Sequence, residues 1–371
     1  MPITKLTVDE LRLTVDPDTL GFADTSELLE HALSWIGQER AEIAVRFGLG
    51  MDQPDYNLFV LGEAGSGRSS LLRQAMLAAA STRATPPDLC YLYNFNAPER
   101  PRALRLPSGQ GRLLRQNMAR MMNTLLADIP QQLDGPHFKV ESERIAKSYK
   151  EEEARAYAEL DAFGEARNFT MRRESGHMHF TLRGKEGHAM TEDEMLALPK
   201  EQRAEIERAE QELIDEINRY LEATRPQEQV MVDSLAALRR KVVKPLLDRE
   251  LRRIRTALKK KNQDLPGLET YLHQVRDDIL DNLELFTAAE TDDELRKEML
   301  AKLLPRYRVN LVVDNDGLRG VPVIVEDNPL FRSLFGSIEY QSENDVLVTD
   351  FSRIRAGSLH KAHGGFLMLH L

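Results

Sequence analysis

The spacing of apolar residues changes character twice along the chain. Up to about residue 110, short apolar runs alternate with turns. Tyr56 to Leu61 is a run of strand type that stops at Gly62, Ser69 to Ala80 is a Leu- and Ala-rich helix, and Cys90-Tyr91-Leu92-Tyr93 is a second buried strand. Upstream, Thr25-Ser26-Glu27-Leu28-Leu29 has the form of a helix start, and the string from Trp35 to Ala41 leads into another helical pattern. Pro98, Pro101 and Pro107 mark an extended connection. Strand, loop, helix and strand in that order predict a parallel α/β sheet.

From about Gly111 to Leu285 the chain becomes charged, helical and poor in glycine, as in Glu151-Glu152-Glu153-Ala154-Arg155. Apolar residues fall at Ile206, Leu213 and Tyr220, with Ile217 between, and again at Leu247, Leu251, Ile254 and Leu258. That is heptad spacing, the mark of a coiled coil with one packed seam and a solvated charged face. Alternating residues and glycines at Phe169 to Leu182 predict a small β-hairpin at a tip. Arg225-Pro226 predicts the turn of a helical hairpin, and Pro245 a kink in the returning arm.

Strand patterns return after Arg306, at Tyr307 to Val313, Val321 to Val325, Val346 to Phe351 and Phe366 to Leu371. The helical block therefore reads as an insertion within an α/β domain. The expected divisions are residues 1–110 for the first part of that domain, 111–300 for the insertion and 301–371 for its continuation. Because the last apolar run has no polar tail, the expectation is a piece of a longer protein.

Composition narrows the function. The 371 residues carry a net charge of -10, so the overall field favours neither nucleic acid nor an anionic membrane. No apolar stretch reaches the 18 residues of a membrane span, and a single cysteine, Cys90, rules out an internal disulfide. A soluble cytoplasmic protein is the simplest expectation, with Cys90 in the core.

The candidate chemistry lies at Gly62-Glu63-Ala64-Gly65-Ser66-Gly67-Arg68-Ser69, which has the spacing G-x-x-x-x-G-K-S/T with arginine in the lysine position. Glycines let such a loop turn tightly, so that backbone N–H groups converge on phosphate oxygens at the positive end of the following helix. Ser69 would hold Mg²⁺. A match this loose arises by chance in roughly a few per cent of chains of this length, but the strand before it and the helix after it are the context the motif requires. Arg68 keeps the positive charge while replacing a compact ammonium with a planar fork. The acid that supports Mg²⁺ belongs at the end of an apolar strand. The candidate strand, Phe366 to Leu369, ends instead in His370.

Beyond these, Ile36-Gly37-Gln38-Glu39-Arg40-Ala41, Tyr93-Asn94-Phe95, Arg102 to Pro107, Val312-Val313-Asp314-Asn315, Glu326-Asp327-Asn328-Pro329, Leu334 to Glu339, Thr349-Asp350-Phe351 and Gly357 to Gly365 occur in that order. Together with the phosphate loop, this set resembles the bacterial Lon-related ATP-dependent proteases, from about residue 10 onward. The resemblance implies a P-loop AAA+ domain interrupted by a helical insertion. It also implies ATP and Mg²⁺ as cofactors, assembly into a ring that is usually hexameric, protein substrates, and a Ser-Lys protease dyad that no residue of 1–371 matches. By position it implies Ile36 and Gly37 beside the adenine, and Gly62, Glu63, Ala64, Gly65, Ser66, Gly67, Arg68, Ser69 and Ser70 around the phosphates. Arg68 is common in such proteins, whereas His370 stands where many carry aspartate, a departure that bears on hydrolysis.

Two other readings compete with an ATP-driven protease motor. One is a scaffold that assembles and gates a peptidase without turnover. The other is a DNA-organising ATPase of the SMC kind, whose L-S-G-G-Q type signature is absent here. The stretch from Leu334 to Val348 is a candidate substrate- or partner-contacting loop as well as a plain surface loop. His177, His179 and His188 on the polar hairpin lack acids at metal-site spacing.

Overall fold

The computed structural model describes residues 5–8, 11–12, 14–29, 37–63, 65–174, 177–184, 188–196, 198–259, 266–287, 293–343 and 346–370. Its helices, in chain order, are α1 (Glu39–Gly50), α2 (Arg68–Ser81), α3 (Gln110–Leu133), α4 (Pro136–Glu165), α5 (Glu192–Leu196), α6 (Lys200–Lys259), α7 (Pro266–Asp281), α8 (Asp293–Leu303), α9 (Phe331–Phe335) and α10 (Ser358–Lys361). Its strands are β1 (Asp88–Leu92), β2 (Arg102–Leu106), β3 (Phe169–Glu174), β4 (His177–Leu182), β5 (Val309–Val313), β6 (Val323–Glu326), β7 (Ser337–Ile338), β8 (Gln341–Glu343), β9 (Val346–Val348), β10 (Ile354–Arg355) and β11 (Phe366–Leu369). Among the described residues no helix is long and apolar enough to cross a membrane. The chain divides into two compact units, one of residues 1–87, 315–339 and 355–371, the other of 88–314 and 340–354.

In the first unit, β6 and β11 pair in parallel, from Phe366 opposite Val323 to Leu369 opposite Glu326. Helix α2 lies on this pair. Leu72, Ala75, Met76 and Ala79 cluster with Val323, Val325, Phe366 and Met368, and Val45 and Leu49 of α1 close the same cluster. Ala and Leu are the strongest helix formers, which is why α2 forms from a sequence of small apolar residues. The helix ends against the entry to β6, where Val321 N–H donates to Ala80 C=O at 3.1 Å. Gly320 makes that approach possible. Its φ is +81°, and a Cβ there would overlap the Ala80 carbonyl.

The second unit is helical with a small sheet of order β2-β1-β5. Its main core joins Leu114, Met118, Met121, Leu125 and Ile129 of α3 to Val243, Leu247, Leu251 and Ile254 of α6 and to Tyr271, Leu272, Val275 and Ile279 of α7. Fully buried Asp88 holds the start of α3 by accepting from Gly111 N–H at 2.8 Å, and Tyr307 donates its hydroxyl to Asp278 at 2.7 Å. Away from this core, Leu160, Phe169, Met171, Leu213 and Tyr220 form a separate cluster that joins α4, α6 and the β3–β4 hairpin.

The expected hairpin at Phe169 to Leu182 is present as β3 and β4, and the heptad residues Leu213, Tyr220, Leu247, Leu251, Ile254 and Leu258 are buried. Three expectations are corrected. Tyr56 to Leu61 is not a strand. It joins no ladder, and Tyr56, Phe59 and Leu61 are exposed. An apolar run becomes a strand only when a neighbour takes its backbone hydrogen bonds, and no described strand does so here. Cys90 to Leu92 is a strand, but β1 pairs antiparallel with both β2 and β5 inside the helical unit, so it does not extend the parallel pair. Finally, Arg225-Pro226 is not a turn, because α6 runs unbroken from Lys200 to Lys259 through Pro226 and Pro245. Proline forfeits one hydrogen bond, and residues 225–230 are exposed; the helix is anchored by buried Tyr220 and Thr224 before Pro226 and by the core that begins at Val243 after it. The chain reverses between α4 and α6 instead, through β3 and β4.

Candidate functional site

The loop from Gly62 to Ser69 ends where α2 begins. Gly65 and Gly67 have φ of +80° and +79°, in the left-handed region that glycine adopts without strain, and a Cβ at either would meet open space. Ser66 N–H donates to Glu63 C=O at 3.3 Å, and Leu71 N–H to Gly67 C=O at 3.0 Å. Gly67 is the cap residue of α2 and no side chain caps that end, so the first-turn N–H groups have no side-chain acceptor. Arg68 folds back and donates from its guanidinium to Gly62 C=O. Ser69 is half-buried in the first turn and Ser70 is exposed.

The packing fixes where this loop lies. The last turn of α2 meets the beginning of β6 through Ala80 and Val321, and the body of the helix lies along β6 and β11. Helix and strands therefore run in opposite directions, which brings the first turn of α2 to the carboxyl ends of both strands. Ligands of open α/β sheets bind at that end.

Four polar side chains occupy the strand ends. Glu326 accepts from Ser358 Oγ at 2.5 Å and from Asn328 N–H at 3.3 Å. His370 continues the ladder through its N–H to Glu326 C=O at 3.1 Å, and its Nδ1 lies 2.9 Å from Asp327 Oδ1. Side chains alternate along a strand. Val323, Val325 and Asp327 thus share the face of Phe366, Met368 and His370, and that is the face α2 covers. Glu326 points to the opposite face, with Ser358.

Left-handed glycines and an uncapped helix end suit a polyphosphate, and hydroxyl and carboxylate oxygens suit Mg²⁺. Among the described residues no three His, Cys, Asp or Glu side chains form a metal-holding group, so a cation here would depend on oxygens that a nucleotide brings with it. Of the other expected site residues, Ile36 and Ala64 lie outside the described residues. Gly37, with φ +67°, is exposed in the turn before α1. The sequence reading assigned no role to Glu326, Asp327 or Ser358. The signal was a carboxylate pair directly after an apolar strand.

Two segments match family models. Residues 319–371 match the LonB-like AAA domain, and residues 88–121 match the Lon-like LonC helical domain. Both matched segments are thus similar to parts of Lon-related AAA+ proteins. The helical match begins at residue 88, where the second unit begins, and the AAA match contains β6, β11 and the strand-end residues. The phosphate loop lies in neither matched segment. No curated protein matches the chain.

The remaining candidates separate. Phe331 and Phe335 on α9 are exposed with ring centroids 4.7 Å apart, while Val346 and Leu347 are exposed on the β8–β9 hairpin of the other unit. His188 Nε2 lies 3.1 Å from Glu194. Cys90 is fully buried, and burial followed by the nearby Asp88 charge pushes its thiol up to about 12.

Proposed function

We propose that this chain is the nucleotide-binding module of a Lon-type ATP-dependent serine protease, in which ATP binding is coupled to unfolding protein substrates and passing them to a C-terminal protease domain. The observation that carries the reading is the meeting of a glycine loop, an uncapped helix end and polar strand ends at one edge of a parallel pair. In this reading the N–H groups from Gly62 to Ser70 bind phosphate oxygens, Arg68 turns from Gly62 C=O to the phosphates, and Ile36 and Gly37 flank the base. Ser69 Oγ would hold Mg²⁺, whose charge would offset that of the phosphates. The module works in a cytoplasmic ring, hexameric by the family's habit, with the helical unit meeting substrates.

The test is nucleotide binding and ATPase activity of the full-length protein. Arg68→Ala is expected to weaken ATP binding by roughly tenfold or more, since a charge-assisted contact contributes about 1.5–3 kcal/mol. Equal ATP affinity in both proteins overturns the loop assignment. A second reading, a scaffold that binds nucleotide without turning it over, is favoured by His370 at the end of β11. ATPase activity no higher than that of a mock preparation, with proteolysis indifferent to ATP, selects the scaffold over the motor.

A further inference from the structure

The end of β11 presents an imidazole where a cation-supporting acid is expected, and the register of the parallel pair shows what stands beside it. Leu369 is opposite Glu326, so the next step of the ladder sets His370 beside Asp327, one strand spacing away, about 4.8 Å. Both follow residues that pack against α2, namely Met368 and Val325. Carried one step past the strand ends, the alternation of side chains places both on the face that α2 covers. Glu326 is excluded, because it lies on the other face and is engaged by Ser358. Asp327 is largely exposed, and the polar partner that fixes it is His370 Nδ1 at 2.9 Å.

We propose that Asp327 supplies the carboxylate that supports the nucleotide's divalent cation in this chain, with His370 as its positioning residue. The acid is thereby moved from the end of β11 to the end of the adjacent strand β6. The proposal rests on the nucleotide reading above. Mg²⁺ keeps several of its waters when a protein binds it, and a carboxylate one strand over can act through one of them. His370 contributes a donor that fixes the carboxylate's direction, as the partners that orient metal ligands do.

The experiment measures binding of a fluorescent ATP analogue to the full chain in Mg²⁺ and in EDTA, for wild type, Asp327→Asn, His370→Asn and the double variant Asp327→Asn/His370→Asp. Wild type is expected to bind more tightly in Mg²⁺. Asp327→Asn should cut the Mg²⁺-to-EDTA affinity ratio by roughly 10- to 100-fold, the usual cost of losing an outer partner of a metal, and leave affinity in EDTA unchanged. His370→Asn should lower the ratio less, and the double variant, which returns an acid to the end of β11, should restore it. A protein that is merely unsettled by the substitution at position 327 would not be rescued by one at 370. An unchanged ratio in Asp327→Asn, with wild type binding normally, overturns this proposal alone. A wild type that binds no nucleotide in either condition overturns it together with the nucleotide reading.

Discussion

Replacing Gly320 with alanine should destabilise the first unit far more than replacing Gly317, although the two glycines have nearly the same backbone. Their φ values are +81° and +77°, and forcing an L-residue into that region costs about 1–2 kcal/mol at either site. They differ in the space around them. A Cβ at 317 meets nothing within 4 Å, whereas one at 320 overlaps the carbonyl of Ala80. Relief of that overlap must separate the end of α2 from the entry to β6. This breaks the bond from Val321 N–H to Ala80 C=O, a net loss of about 1 kcal/mol, and disturbs the packing by a further 1–3 kcal/mol or so. Gly317→Ala is expected to cost about 1–2 kcal/mol and Gly320→Ala about 3–6 kcal/mol. Urea unfolding followed on the first unit would read the difference as a shift in midpoint at constant slope. The same displacement moves the phosphate loop along the strands, so nucleotide affinity should fall in Gly320→Ala and hold in Gly317→Ala. Equal midpoints for the two variants would refute the close-approach argument and, with it, the placement of the loop at the strand ends.

Leu213→Ala should cost about 2–5 kcal/mol, confined to the cluster around Leu160 and Tyr220. Hydrogen exchange should therefore quicken there while the amides around Leu251 keep their protection, and uniform quickening would contradict the separation of the two clusters. Asp88→Ala removes the acceptor of Gly111 N–H from a fully buried site and should destabilise the helical unit by about 1–3 kcal/mol in a urea titration; a midpoint unchanged from wild type would count against the cap. Burial raises the Cys90 thiol from 9.0 to about 12, and a group raised in the folded state contributes stability below its unfolded value. The unfolded thiol ionises above about pH 9 while the folded one does not, so stability should decline between about pH 9 and 12. The buried hydroxyls of Tyr271 and Tyr307 are shifted the same way. Rapid native labelling of Cys90 by a thiol reagent at pH 8 would contradict this burial.

Local signals in the sequence located the helices and the β3–β4 hairpin well, because heptad spacing and alternation report which face of an element is buried. They failed where the outcome depended on partners far along the chain. Tyr56 to Leu61 has the composition of a strand but no neighbour in a ladder. Cys90 sits in a strand whose partners, at Leu104 and Leu311, are drawn from the helical unit, and no spacing in the sequence shows whether such a pairing is parallel or antiparallel. Pro226 is a breaker by residue type, yet α6 continues through it. At the candidate site, the loop rests on glycine spacing and the helix that follows it, without the strand expected before it, while the pairing of Asp327 with His370 became visible only through the register of β6 against β11.

The length of α6 has a mechanical consequence. Its 60 residues make a rod of about 90 Å, held in one apolar cluster around Leu247 and Leu251 and in another around Leu213 and Tyr220. About 34 Å of helix separates Tyr220 from Val243 at 1.5 Å per residue. A tilt of about 5° at one end of such a rod swings the other through about 8 Å, if the helix keeps its straightness. Rearrangements of side-chain size beside Leu251 would then emerge near Leu213, about 57 Å along the helix, as displacements of about 5 Å.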